Sequence, residues 1–184
     1  MTRRVDWPER LAAFLESRRG APKCWGSNDC GLFCADAIEA MTGVDPGWEL
    51  RGTYQNARQA LRALVKYFRK RGLPMPAWQQ QPDSLLGEIA QHAASIYGWP
   101  AIELLAAQRG DLVLLEVGDL LQETSPSAPR PDRGGHVVRS GHATLSVAWT
   151  RVLGIIGMNG LPVTSGEKGV TELPSERIVR AWRI

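Results

Sequence analysis

Apolar residues in the first half of the chain recur at helical spacing and separate four segments. Trp7, Leu11, Phe14 and Leu15 share one face of a stretch that stops at Arg18-Arg19-Gly20, which predicts a helix over 7–19. Asp6 followed by Glu9 reads as a capping-box variant, with Pro8 in the tolerated first turn. A second helix is predicted to start after Asn28 or Asp29. Cys30, Cys34, Ala37 and Met41 lie on one face of it, Phe33 and Ile38 flank them, and Gly43 is the stop. Residues 53–71 read as a third helix with Ala57, Leu61, Leu64, Val65 and Phe68 as its apolar stripe. Its other side carries Arg58, Arg62, Lys66, Arg69, Lys70 and Arg71 with no acidic residue, a solvated face or a surface for an acidic partner. Prolines and glutamines over 74–82 interrupt regular structure, after which 83–97 read as a helix and Pro100 to Ala107 as a shorter one.

The pattern then changes from period 3.6 to short apolar runs. Leu112 to Leu115 is a buried strand by length and composition, introduced by Gly110-Asp111. Residues 124–135, rich in Pro, Ser, Arg and Gly, read as a loop. His136 to Val138, His142 to Trp149, Arg151 to Ile156, Leu161 to Thr164 and Val170 to Leu173 are strand candidates. Met158-Asn159-Gly160 is the turn between two of them, with Asn159 as a turn former. Ala181 to Ile184 reads as a final edge strand. Helices first and strands afterwards predict the α+β class.

Composition narrows the picture only modestly. The 184 residues suit one domain with a proper core, no apolar run approaches the ~20 residues of a membrane span, and no apolar stretch follows the N-terminal arginines as a secretory signal would require. A formal charge of +3 does not argue for nucleic acid. Three cysteines, none beyond residue 34, make a disulfide framework a poor fit and favour synthesis in a reducing cytoplasm. The spacing C-x5-C-x3-C of Cys24, Cys30 and Cys34 matches no strong zinc pattern, so no metal is expected, and no sequence feature calls for a cofactor.

Chemistry concentrates at Cys30. A thiol in the first turn of a helix feels the positive end of the helix dipole, which favours its thiolate and suits a nucleophile paired with a histidine from elsewhere in the fold. Cys34 and Cys24 read as packing residues. Of the three histidines, His142 is the best candidate general base, His136 stands behind it, and His92 sits between alanines on a predicted helix as a structural residue.

Trp25-Gly26-x-x-Asp29-Cys30 opening a helix, followed by Arg109-Gly110-Asp111-Leu112-Val113 starting a strand, resembles the NlpC-type branch of the papain-like cell-wall peptidases. The resemblance implies N-terminal helices packed on a small C-terminal antiparallel sheet, Cys30 as nucleophile, and a histidine on the strand after the Gly-Asp-Leu strand. A narrower resemblance covers nearly the whole chain as one domain, 1–184. Asp29-Cys30, Ala35-Asp36-Ala37, Met41-Thr42-Gly43-Val44-Asp45-Pro46, Arg51-Gly52-x-Tyr54, Gln108-Arg109-Gly110-Asp111, Leu153-Gly154-Ile155 and Ala181-Trp182-Arg183 look like a tail-tip protein family of long-tailed phages and prophages. Residues of about 120–150 look inserted relative to that pattern. Where the peptidases carry His-x-Gly-Ile this chain reads Val152-Leu153-Gly154-Ile155, so Val152 occupies the expected histidine position unless His142 or His136 in the insertion serves instead.

The resemblance therefore implies a tail-tip or baseplate protein, made in the bacterial host cytoplasm and carried in the virion tail tip. Its partners would be other phage tail-tip or hub proteins, with no specific nucleic acid and no membrane span. Its peptidase site would be degenerate. The alternative is an active peptidoglycan-cleaving cysteine endopeptidase or amidase using Cys30 and His142, with peptidoglycan as substrate. An assembly factor absent from the finished particle is the third reading.

Overall fold

A computed structural model describes residues 1–73, 84–117 and 151–184. Four helices come first: α1 (Trp7–Arg18), α2 (Cys30–Thr42), α3 (Ala57–Lys70) and α4 (Ser84–Tyr97). The strands follow: β1 (Ala101–Ile102), β2 (Leu112–Glu116), β3 (Arg151–Ile156), β4 (Pro162–Gly166), β5 (Gly169–Glu172) and β6 (Ile178–Trp182). They form one antiparallel sheet in the order β1-β6-β2-β3-β4-β5, so the protein is α+β, as the change of period predicts.

α2 is the spine of the core. Leu32, Phe33, Cys34, Ala35, Ala37, Ile38 and Met41 are all buried along it, which places it between the sheet and its neighbouring helices rather than at a surface. Asp29 caps its start and Gly43 ends it in the left-handed conformation, at φ 82°, with its N–H bonded to the Glu39 carbonyl. On one face of the sheet, Leu112 and Leu114 of β2, Leu153 and Ile155 of β3 and Trp182 of β6 join this helix and Leu11 of α1 in the main core. The alternate residues Val113, Leu115, Val152, Ile156 and Ala181 enter a second apolar cluster with Leu173 and Ile178. Both faces of β2 are thus covered, which explains its uninterrupted apolar run.

Several expectations need correction. Asp6 makes no side-chain cap on α1, because Arg10 draws its carboxylate into an ion pair at 2.8 Å. The third helix starts at Ala57 rather than residue 53, where Asn56 accepts the Gln59 N–H. Its buried line is Ala60, Leu64 and Phe68, one residue round from the predicted stripe at the start. Pro100 to Ala107 is not a helix: the chain extends as β1 and then makes one 3-10 turn over Leu104–Ala106. The last strand is not an edge, since β6 lies between β1 and β2. The Met158-Asn159-Gly160 turn does join β3 to β4, and Asn159 shapes it by accepting the Leu161 N–H and donating to Glu172 at 2.9 Å. The loop at 124–135, the strand candidates at 136–138 and 142–149 and the insertion at 120–150 lie outside the described residues.

The Gly110-Asp111 turn has a role the sequence does not announce. Asp111 is fully buried and accepts the Gln108 N–H, Arg3 at 2.7 Å and Arg183 at 3.3 Å, so one carboxylate fastens segments from the two ends of the chain to the start of β2. Asp36 and Asp45 play a comparable part elsewhere. Arg51 spans both, and Arg18 joins it on Asp36, locking the 43–54 segment to α1 and α2. Among the described residues, no helix is long and apolar enough to cross a membrane.

Candidate active site

Cys30 is the first residue of α2, and the segment before it is folded tightly onto its own cap. Cys24 and Asn28 exchange backbone hydrogen bonds, closing a short loop whose tip is Trp25-Gly26. Gly26 has φ 76°, and a Cβ there would lie 2.1 Å from the Tyr54 carbonyl oxygen, so only glycine lets this loop meet the 52–54 segment. The Gly52 N–H completes the junction by donating to the Gly26 carbonyl at 2.9 Å.

Asp29 organises this corner. One carboxylate oxygen accepts the Gly31 and Leu32 N–H groups, the other accepts the Gly26 N–H at 2.9 Å, and burial followed by the nearby carboxylate pushes the Tyr54 hydroxyl pKa up. The Phe33 N–H goes to the Asp29 carbonyl. Three N–H groups of the first turn are therefore committed to Asp29, and an oxyanion at this helix start would have to draw on the Cys30 N–H itself. Trp25 stands edge-on to Tyr54, with the Lys23 ammonium 4.5 Å from the Trp25 ring.

A cavity of about 110 Å³ opens beside Cys30, room for several waters. Lys23, Trp25, Asp29, Tyr54 and Arg151 supply its polar lining. Leu32, Ile38, Leu64, Ala90 and Trp99 supply much of its apolar wall. Val152 and Leu153 of β3 line it as well. Cys30 packs against both apolar clusters, at the boundary between the two faces of the sheet.

The thiol is not tuned as the helix start alone suggests. Burial, and then the negative charge of Asp29, push its pKa up; the Leu153 and Gly31 N–H groups and the Lys23 ammonium act the other way without overcoming them. The capping carboxylate that orders the helix thus opposes the dipole at the thiol. At neutral pH Cys30 is a protonated thiol, and a nucleophilic role would require a base to take its proton. Cys34, one turn on, is buried and pushed up further, for the same first reason.

Val152, at the position where the resemblance expects histidine, is a buried apolar residue of the far-side cluster. His92 is elsewhere, on α4. Its ring lies 6.0 Å from Tyr67 and 6.5 Å from Phe68, and burial followed by the Arg71 charge lowers its pKa. That environment fits the structural role expected for it. His142 and His136 lie outside the described residues. Among the described residues no cluster of His, Cys, Asp or Glu has the makings of a metal site. The residues missed from sequence are Tyr54, Lys23 and Arg151; Tyr54 stood within a motif, but nothing local indicates that it lines the cavity beside Cys30.

These shifts carry a pH dependence. In the unfolded chain thiols ionise near ~8.5 and tyrosine near ~10, whereas the fold raises Cys30, Cys34 and Tyr54, burial being the first cause for each. Their contribution to stability is therefore complete below pH ~8.5 and is lost as pH rises above it, because the unfolded chain ionises first. The urea midpoint is expected to fall between pH 7.5 and pH 10. A midpoint that holds or rises over that interval would contradict the burial of these groups.

The comparisons with known proteins give one assignment. No curated protein and no solved structure matches the chain. A family model, described as a domain of unknown function (DUF6950), matches residues 2–184, and the chain belongs to that family.

Proposed function

We propose that this protein is a tail-tip or baseplate component of a long-tailed bacteriophage or prophage, built on an NlpC-type papain-like scaffold whose peptidase centre has degenerated. The observation that carries the reading is the pairing at the cavity: a protonated, partly buried thiol at the start of α2 and an apolar Val152 on β3 where that scaffold would hold its histidine. A valine cannot accept the proton of a thiol, and among the described residues the other cavity-lining side chains offer no imidazole. The scaffold itself is supported by the arrangement of a cysteine-headed helix against an antiparallel sheet whose strand β2 begins at Gly110-Asp111. In this role Asp29, Tyr54 and Cys30 are retained for their packing and hydrogen bonds.

A second reading is favoured by chain connectivity. Residues 118–150, which carry His136 and His142, join β2 to β3 and re-enter the sheet at Arg151 and Val152, both on the cavity wall. If His142 or His136 takes the Cys30 proton, the thiolate attacks an amide carbonyl of a peptidoglycan stem peptide. The amine then leaves with that proton, and water releases the acyl group.

Peptidoglycan zymography separates the two. The degenerate reading expects no clearing by the native protein, and none gained or lost in Cys30→Ala. Clearing that disappears in Cys30→Ala and in either His142→Ala or His136→Ala would overturn it in favour of the enzyme. The virion role is tested apart from catalysis: purified phage particles are expected to contain the protein, and infectious particles assembled without it would defeat the tail-tip assignment.

A further inference from the structure

The chain's positive charge is concentrated on one helix. α3 carries five basic side chains and no acidic one. With an excess of three for the whole chain, the remaining residues are net −2. Arg58, Arg62, Lys66 and Arg69 are exposed, and none of the four has an ion-pair partner among the described residues. Lys70 and Arg71, by contrast, are already held by Glu49. At 100° per residue the four free cations fall within a quarter of the helix circumference and run along ~16 Å of its length. Like charges at i, i+4 oppose helix formation, and here Arg58, Arg62 and Lys66 repeat that spacing without relief.

The flank of this ridge decides what it fits. Leu61 and Val65 border it on the side toward the core line and keep part of their surface exposed. The aromatic Tyr67 lies on the opposite flank, with the Arg71 guanidinium 4.0 Å from its ring. Among the described residues the ring of Tyr67 is thus engaged by Arg71 rather than open to stack on a base, and the side of the ridge next to the core line offers an apolar margin instead.

From these features we propose that the Arg58–Arg69 face of α3 docks an acidic amphipathic segment of a partner protein. Its carboxylates would meet the four cations and its apolar residues would rest on Leu61 and Val65. The surface is separate from the Cys30 cavity, so the proposal stands whether or not that site is catalytic.

The test uses the full chain and fluorescence anisotropy at low and physiological salt. The probes are a labelled helical peptide with glutamates at i, i+4 and i+8 beside a leucine stripe, the same peptide with the leucines changed to serine, a short DNA duplex and anionic phospholipid vesicles. The amphipathic acidic peptide is expected to bind about tenfold tighter than its serine version or the duplex, and to weaken with salt. The double variant R62E/K66E is expected to lose about tenfold of that affinity, with an unchanged melting temperature showing that α3 still folds. Absence of peptide binding, equal binding of duplex or vesicles, or an affinity unmoved by R62E/K66E would overturn the proposal.

Discussion

Asp29→Ala is expected to lower the stability of the protein by about 4 kcal/mol, seen as a fall of roughly 10 °C in melting temperature. The residue is buried, and its carboxylate serves the Gly26, Gly31 and Leu32 N–H groups at once. Loss of a helix cap alone costs about 1 kcal/mol, and the larger part comes from donors left buried without an acceptor. Asp29→Asn separates structure from charge. Its carbonyl can still accept from Gly31 and Leu32, but its amide nitrogen then faces the Gly26 N–H, donor against donor, so its melting temperature is expected between those of native and alanine proteins. The same change removes a charge that holds the Cys30 thiol up. Alkylation of Cys30 by iodoacetamide at pH 7.5, followed by peptide mass spectrometry, is therefore expected to be faster in Asp29→Asn than in the native protein. An alanine variant that melts with the native protein, or an asparagine variant whose thiol reacts more slowly, would contradict this account of the corner.

The second large effect is expected at Asp111. Removing a fully buried carboxylate leaves Arg3 and Arg183 with only backbone carbonyls in place of their ion-pair partner, and the Gln108 N–H without an acceptor. Such losses cost about 3–5 kcal/mol when all charges are buried. Arg3 is mostly covered but Arg183 is 41% exposed, and water will recover part of its solvation, so about 3 kcal/mol is the expected loss for Asp111→Ala. A double-mutant cycle gives the sharper reading. Arg3→Ala should destabilise the native protein and do little in the Asp111→Ala background. Additive effects would mean that the two side chains do not act on one another.

The contrast between these two aspartates shows what was legible in the residues themselves. A cap directly before the helical apolar pattern follows from local sequence, which narrows it to Asn28 or Asp29, and the structure gives Asp29. Asp111 draws on residues 108 positions earlier and 72 later, and no local pattern encodes such contacts. The α+β order, the extent of α2 and its stop at Gly43 were likewise local. The position of β6 was not, because alternation marks a strand but does not say which neighbours it will find. Asp6 and Cys30 fail in a related way. Each sits where helix chemistry suggests one behaviour, and its surroundings impose another: the Arg10 ion pair at Asp6, and burial followed by the Asp29 charge at Cys30. Of the candidate site, the cysteine at a helix start was readable, whereas Tyr54 comes to the cavity from beyond α2 and the segment after it, and Lys23 meets it through a folded turn.

The place of β6 has a consequence for how the molecule is made. Residues 178–182 pair with β2 on one side and β1 on the other, so this central part of the sheet cannot close until those residues, about 60 positions after β2, have left the ribosome. Until then β2 exposes an unpaired edge in an apolar strand, a surface prone to recruit other chains. The helical layer, whose contacts are closer in sequence, can collapse earlier. Synthesis interrupted before Ile178 would therefore yield a helical, sticky intermediate, and chaperone demand should peak between the making of β2 and the making of β6.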